Sequence, residues 1–102
     1  MINIKTQADM ANLLMLHDKV LVIFTQPSWC VPCQHLEPHL QAADAKTDIP
    51  FAVIDEASDF ELYSAWNVLG VPQMFLIDGE NSPVKITART SMTILNQIET
   101  GT

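Results

Sequence analysis

The chain has 102 residues, of which 48% are hydrophobic and 17% charged, the balance of a globular protein that forms one domain over residues 1–102. The chain has five Lys and Arg residues and twelve Asp and Glu residues, and the formal net charge of −7 argues against nucleic acid or an anionic membrane as a direct partner. The longest aliphatic and aromatic run, residues 20–24, is too short to cross a bilayer, and no signal-peptide pattern follows Met1, so we expect a cytosolic protein.

The first half of the chain predicts two strands, each followed by a helix. A short strand fits residues 2–4, and Thr6 then caps a helix together with Asp9, three positions later. Residues 20–25 are β-branched and apolar, as in a strand that is buried on both faces, and a second helix begins near Cys30. The apolar stripes of these helices are Met10, Leu13, Leu14 and His17, and then Cys33, Leu36, Leu40 and Ala43.

The second half predicts three more strands and two more helices. The strands fit residues 51–54, 74–77 and 84–87. Ser58 with Glu61 predicts a capping box, Asp78-Gly79 predicts a turn, and Ser91 is the expected cap of the last helix. The apolar stripes are Leu62, Ala65, Trp66 and Leu69, and then Met92, Leu95 and Ile98. Strands that alternate with helices indicate parallel pairing, and the turn indicates one antiparallel hairpin. The order βαβαβαββα therefore predicts an α/β fold, a mixed central β-sheet flanked by helices.

Two cysteines, Cys30 and Cys33, are the only ones in the chain. A bridge across so short a loop removes little chain entropy, so redox chemistry or metal binding explains the pair better than a structural disulfide. Zinc would need two further ligands, and His35 and His39 lie off the helix face that carries the cysteines. We therefore predict a redox pair with no metal and no organic cofactor.

The positions of the two thiols on the second helix predict their roles. Cys30 lies at the helix N-terminus, where unpaired backbone N–H groups and the helix dipole favour the thiolate and modestly lower the thiol pKa. Cys33 shares a face with Leu36 and Leu40, which shield it. We expect an exposed Cys30 to be the nucleophile and Cys33 to be the resolving thiol.

Three motifs resemble the thioredoxin family. Residues 29–33, Trp-Cys-Val-Pro-Cys, match the family's Trp-Cys-Gly-Pro-Cys active site except at the valine. Pro38, five residues after the second cysteine, matches the proline that kinks the family's active-site helix. Gly70-Val71-Pro72 matches its cis-proline loop and implies a cis bond before the proline. The resemblance covers the whole chain in element order and implies a thioredoxin-like fold.

The resemblance also implies a function. The chain would be a protein-disulfide reductase, an oxidoreductase that transfers electrons through a Cys30–Cys33 dithiol/disulfide couple. Protein disulfides would be its substrates, a thioredoxin-reductase-type partner would recycle it, and it would act as a monomer. The family's substrate surface maps onto Trp29, Val31, Pro32, Val71 and Pro72.

The chain departs from the family at two positions that are buried in thioredoxins. Ile23 replaces the usual Asp and Val53 replaces its Lys companion, so the ion pair is lost and water or the leaving thiolate would have to activate Cys33. Residues 24–27 and 71–73 are similar to glutaredoxins, which leaves open a glutaredoxin-like electron donor, for example to a ribonucleotide reductase. A non-catalytic binding module with a thioredoxin fold is the other alternative.

Overall fold

Residues 1–100, the part of the chain that the computed structural model describes, form five strands and four helices. The strands are β1 (Ile2–Asn3), β2 (Lys19–Phe24), β3 (Phe51–Ile54), β4 (Gln73–Asp78) and β5 (Val84–Ile86). The helices are α1 (Gln7–Leu16), α2 (Val31–Asp44), α3 (Phe60–Ala65) and α4 (Ser91–Thr100). The predicted element order is confirmed, and no strand end differs from its predicted position by more than one residue. Within the same residues, no helix is both long and apolar enough to span a bilayer.

The five strands form one mixed sheet in the order β1-β3-β2-β4-β5. β1 and β2 run parallel to β3, whereas β4 pairs antiparallel with both β2 and β5. The antiparallel pairing of β2 with β4 differs from the expectation that helix-separated strands are parallel. The six-residue α3 is only about 9 Å long. It does not carry the chain back across the sheet, and β4 therefore starts at the end where β2 stops, with Gln73 paired to Phe24.

Side chains of β2 alternate between two cores, one on each side of the sheet. Val20, Val22 and Phe24 pack with residues of α1 and α3, whereas Leu21 and Ile23 pack with residues of α2 and α4. All five side chains are completely shielded from solvent. The prediction that this strand is buried on both faces is confirmed, and the strand provides a rigid support for the loop that follows it.

The N-terminal cap of α1 is confirmed in detail. Thr6 Oγ1 accepts the backbone N–H of Asp9 at 3.1 Å, and the Asp9 carboxylate accepts the backbone N–H of Thr6 at 3.1 Å. His17, which was expected to end the α1 stripe, is instead the C-cap residue and is exposed.

The capping box predicted for Ser58 and Glu61 does not form, because the serine hydroxyl has other partners. It donates to the carbonyl of Ile4 and accepts the backbone N–H of Asp55 at 3.1 Å, which joins the ends of β1 and β3. The residue before α3 makes no side-chain cap bond. Leu69 lies four residues beyond the end of this short helix and is fully exposed, so its assignment to the helical stripe was wrong.

The last helix is offset from its prediction by one residue at its start. Ser91 is the first helical residue, and the hydroxyl of Thr90 accepts the backbone N–H of Thr93 at 3.4 Å. Met92 is 72% exposed, whereas Ile94 is completely buried. The predicted stripe therefore began on the wrong residue, because the core selects the side chains that face the sheet.

Candidate active site

The loop between β2 and α2 turns the chain so that Cys30 stands at the start of the helix. The backbone N–H groups of Cys30 and Trp29 both donate to the carbonyl of Gln26, at 3.0 and 3.3 Å. Cys30 is the N-cap residue of α2, and Pro32 is the second helical residue. Its ring fixes φ near the helical value, and its missing N–H costs no hydrogen bond, because a first-turn N–H has no intrahelical partner. The sequence thus places the first cysteine where a side-chain acceptor is needed.

Cys30 and Cys33 form a disulfide, with their Cα atoms 5.2 Å apart. The backbone N–H of Cys33 donates to Cys30 Sγ at 3.1 Å, so the sulfur serves as the cap that an oxygen usually supplies. In a reduced protein the same N–H group would face the Cys30 thiolate. A hydrogen-bond donor and the positive end of a helix dipole at one sulfur favour its ionised, nucleophilic form.

The loop before β4 lies directly against this sulfur. The Val71–Pro72 peptide bond is cis. The carbonyl oxygen of Val71 lies 3.8 Å from Cys30 Sγ. The register of β2 with β4 produces this contact, since Gln73 pairs with Phe24 and the residues flanking both strand ends meet. Tertiary pairing, and not sequence proximity, completes the site.

Cys30 is less accessible than the sequence predicts. It is 4% exposed and Cys33 is 2% exposed, so the expectation of an exposed Cys30 was wrong for the disulfide form. The sulfur is bonded to Cys33 on one side and faced by the Val71 carbonyl on another. Exposure therefore does not distinguish the two cysteines here, whereas position on the helix does.

The five residues predicted to contact substrate surround the disulfide. Trp29 is 66% exposed and Val31 is 54% exposed, so both flank the buried Cys30 as an apolar rim. Trp29 and Val71 line a shallow groove, and Pro32 and Pro72 line a second depression. All five predicted positions are thus close to the cysteine pair.

A hydrogen-bonded side-chain network that sequence reasoning missed holds Trp29. Its indole N–H donates to Gln26 Oε1 at 3.2 Å, and Gln26 Nε2 donates to the hydroxyl oxygen of Tyr63 at 2.8 Å. The Tyr63 hydroxyl is also within hydrogen-bond distance of the carbonyls of Thr25 and Ile54, at 3.0 and 3.2 Å. Burial raises the pKa of this hydroxyl above 10.0, although the bond from Gln26 lowers it. No sequence pattern links these positions, because they meet only across the β2–β3 end of the sheet.

A cavity of about 220 Å³ lies next to Cys33 and is separate from the groove and the depression described above. Ile23 and Val53, the two positions where the family's ion pair is replaced, are paired across β2 and β3 and both line it. Glu37 and Asp55 contribute the carboxylates of its lining. The lining next to Cys33 therefore combines the apolar side chains of Ile23 and Val53 with polar and acidic groups, among them Asn3 and the two carboxylates.

The structure contains no cluster of metal-ligating side chains within residues 1–100. His35, one of the two histidines considered as zinc ligands, is exposed. The other, His39, is half-buried, and its Nδ1 accepts the backbone N–H of Ser91 at 3.2 Å. This bond links the middle of α2 to the start of α4.

Comparisons with known proteins agree with this geometry. The thioredoxin family model matches residues 2–100. A protein of Arabidopsis thaliana with a thioredoxin H10 designation is 34% identical over 77 residues, which cover 74% of this chain and 50% of that protein. The chain spans about half the length of the curated relatives it matches.

Solved structures share the fold. A mutant thioredoxin from Halobacterium salinarum NRC-1 superposes with a TM-score of 0.83 at 29% identity, over 97% of this chain and 88% of that one. The thioredoxin of Fasciola hepatica superposes with a TM-score of 0.82 over the full length of both chains, at 22% identity. With the family model matching nearly every residue and the cysteine pair at the start of α2, this chain belongs to the thioredoxin family.

Proposed function

We propose that this chain is a thiol–disulfide oxidoreductase that reduces protein disulfides, with Cys30 as the nucleophile and Cys33 as the resolving thiol. The observation that carries the proposal is the cap of α2, where the Cys33 N–H group donates to Cys30 Sγ at 3.1 Å. A thiolate at this sulfur keeps that hydrogen bond and gains the helix dipole. The thiol of Cys33 has no equivalent position, since it lies inside the first turn.

The first step is attack by the Cys30 thiolate on a substrate disulfide. Its sulfur forms a new bond to one substrate sulfur, and the other substrate sulfur leaves as a thiolate that takes a proton from water. The apolar rim of Trp29 and Val31 supplies contact area, and the backbone at Val71–Pro72 offers polar groups to an extended substrate segment. The product is a mixed disulfide between Cys30 and the substrate.

The second step needs a deprotonated Cys33. Ile23 and Val53 supply no ionisable group behind it, so the proton passes to the departing substrate thiolate or to water in the adjoining cavity, whose lining also holds the Glu37 and Asp55 carboxylates. A cavity of about 220 Å³ beside Cys33 is large enough for several waters, each of which occupies about 30 Å³. The Cys33 thiolate then attacks Cys30 Sγ, the bond between Cys30 and the substrate breaks, and the second substrate sulfur leaves as a thiolate that takes a proton from water. Two electrons have moved from the protein to the substrate, and a thioredoxin-reductase-type partner returns them.

The proposal includes a monomeric protein that works in the cytosol. Its two cysteines form one pair, which suits a reducing compartment where disulfides are transient and catalytic. The net charge of −7 supports protein rather than nucleic acid as its partner.

An insulin-disulfide reduction assay tests the proposal, with dithiothreitol as the terminal reductant. We expect the wild-type protein to accelerate reduction and both Cys30→Ser and Cys33→Ser to abolish the acceleration. The two variants serve as controls for each other, because only Cys33→Ser retains the nucleophile and, once dithiothreitol is removed, accumulates a mixed disulfide with an insulin chain. A mixed disulfide formed by Cys30→Ser instead would reverse the roles, and full partner binding without any reduction would favour a binding module.

Recycling of the oxidised protein separates the remaining enzymatic alternative. Efficient reduction by a thioredoxin reductase and slow reduction by glutathione are expected. Faster recycling by glutathione would identify a glutaredoxin-like donor.

A further inference from the structure

A depression with basic side chains adjoins the active site at Pro32 and Pro72 and is separate from the groove that Trp29 lines. We call it the basic pocket; it has a volume of about 450 Å³ and is lined by Pro32, His35, Leu36, His39, Pro72 and Arg89. None of these six residues is acidic, although the chain as a whole carries a net charge of −7. The charge that Arg89 gives this depression is thus opposite in sign to that of the protein.

Arg89 provides a cation that no carboxylate in residues 1–100 neutralises. Its Nη1 donates to the backbone carbonyl of Ala88 at 3.0 Å and lies 3.5 Å from that of Ile86. The ion pair that does form within residues 1–100 does not involve Arg89; it joins the Met1 amino group to the carboxylate of Asp44. A guanidinium has five N–H donors, so the two carbonyl contacts of Nη1 leave Nη2 and Nε free for an anion.

The two histidines of the basic pocket add donors next to this cation. His39 Nδ1 accepts a hydrogen bond from the Ser91 backbone, so in that arrangement its proton is on Nε2. His35 lies one helical turn earlier, on the same face of α2. Side chains from α2 and from the segment between β5 and α4 therefore meet in one depression.

The position of the basic pocket ties it to the reactive disulfide. Pro32 belongs to the cysteine motif, and Pro72 follows the residue whose carbonyl lies 3.8 Å from Cys30 Sγ. His35 is four residues beyond Val31, about 6 Å along the helix axis. An extended segment advances about 3.3 Å per residue, so a side chain one to three residues from a substrate cysteine reaches this distance.

The other side of the Val71–Pro72 loop has a different character. Its groove is lined by the exposed side chains of Trp29, Phe60 and Leu69, which are 66%, 78% and 100% exposed. No Lys, Arg or His lines it. A substrate segment across the loop would thus meet apolar surface on one side of the cysteines and cationic surface on the other.

We infer that the basic pocket binds a carboxylate side chain of the disulfide substrate, so that preferred substrates carry Asp or Glu within three residues of the reacting cysteine. The inference rests on the proposed function and adds a substrate class to it. Arginine suits this role because its planar guanidinium donates hydrogen bonds to both oxygens of a carboxylate. The contact is formed at an accessible site, so it selects among substrates without dominating their affinity.

Two peptide disulfides that differ only in Glu or Gln, two residues from the cysteine, test the inference. At low ionic strength the wild-type protein should reduce the Glu peptide with about two- to fivefold higher kcat/KM, the range expected of an exposed ion pair. Arg89→Gln should lose this preference and Arg89→Lys should retain part of it. Lys46→Gln makes the same charge change on the exposed loop after α2 and should leave the preference intact. Added salt should reduce the preference in the wild-type protein.

Equal reduction of both peptides by the wild-type protein, or an undiminished preference in Arg89→Gln, would overturn the inference. A general loss of structure in the variant would slow the reduction of both peptides equally and leave the ratio of their kcat/KM values unchanged, which also counts against the inference.

A second experiment measures binding alone, with oxidised protein and with peptides that carry Ser in place of Cys. It follows the NMR signals of the His35 and His39 imidazoles. Larger shifts with the Glu peptide support the basic pocket, and equal shifts refute it. Because this experiment needs no chemistry, it decides the inference even if neither peptide is reduced, a result that would refute the proposed function alone.

Discussion

Reduction of the Cys30–Cys33 disulfide should lower the stability of the protein by a calculable amount. The bridge closes a loop of four residues, 30–33. In the chain-entropy treatment such a loop removes about 6 cal/mol/K from the unfolded ensemble, or about 2 kcal/mol at 25 °C. The disulfide form should therefore resist unfolding more than the dithiol form.

One effect opposes this difference. In the reduced protein a Cys30 thiolate would interact with the N-terminal end of α2, which is worth roughly 0.3–1 kcal/mol. The hydrogen bond from the Cys33 N–H group does not add fully to this gain, because it already exists in the disulfide form. The loss of unfolded-state entropy caused by the disulfide is the larger of the two effects, so the oxidised protein should be more stable than the reduced protein by about 1–2 kcal/mol. For a domain of this size the melting temperature should fall by roughly 5–15 °C on reduction.

Guanidinium denaturation at neutral pH, followed by far-UV circular dichroism with and without dithiothreitol, measures the difference. A Cys30→Ser/Cys33→Ser double variant is the control, since its unfolding should not respond to the reductant. Thermodynamic linkage converts the net difference of about 1–2 kcal/mol into a reduction potential about 20–40 mV more negative in the folded than in the unfolded chain, as suits a reductant. A reduced form as stable as the oxidised form, or more stable, would show that thiolate stabilisation outweighs the loop term and that the protein tends to oxidise its partners.

Two further predictions concern the pH dependence and the core. Tyr63 is the only tyrosine, so tyrosinate absorbance reports its pKa directly, and burial should place that pKa above 10.0. Because the unfolded chain loses this proton first, ionisation of Tyr63 should leave the free energy of unfolding unchanged below pH 10 and lower it as the pH rises past 10. The free energy of unfolding of the Tyr63→Phe variant should fall less over the same pH range. A tyrosinate titration at the ordinary pKa would contradict the burial of the hydroxyl. In α4, Ile94→Ala should cost about 2–5 kcal/mol in denaturant unfolding because its side chain is fully buried, whereas Met92→Ala should change stability by less than about 0.5 kcal/mol. Equal costs for both substitutions would mean that the helix faces the sheet differently.

The elements were predictable where local patterns coincide with burial. Residues 20–24 and 51–54 are continuous apolar runs, and both form strands of the sheet within one residue of those limits. Thr6 and Asp9 cap α1 as expected because both bonds of a capping box are local. The box at Ser58 and Glu61 failed because the serine hydroxyl found partners at the end of a distant strand, and no local pattern reports such a contact.

The candidate site was predictable for a similar reason and within similar limits. Its core, Cys30 and Cys33 at the start of a helix, is contiguous in sequence, and spacing alone placed one sulfur within reach of the other. The contacts of Gln26, Tyr63 and Arg89 gave no signal in the sequence, because they form across the sheet or between separate elements.

The amino-acid sequence by itself determined the order of strands and helices, the central buried strand and the position of the cysteine pair at a helix start. These features depend on periodicity, capping and turn chemistry within about ten residues of chain. Tertiary structure decided the antiparallel course of β4, which brings the Val71 carbonyl to Cys30 Sγ, and the meeting of His35, His39 and Arg89 beside it. The physical reason is that strand pairing and helix packing join residues many positions apart, and the free energy of those contacts is distributed over the whole core.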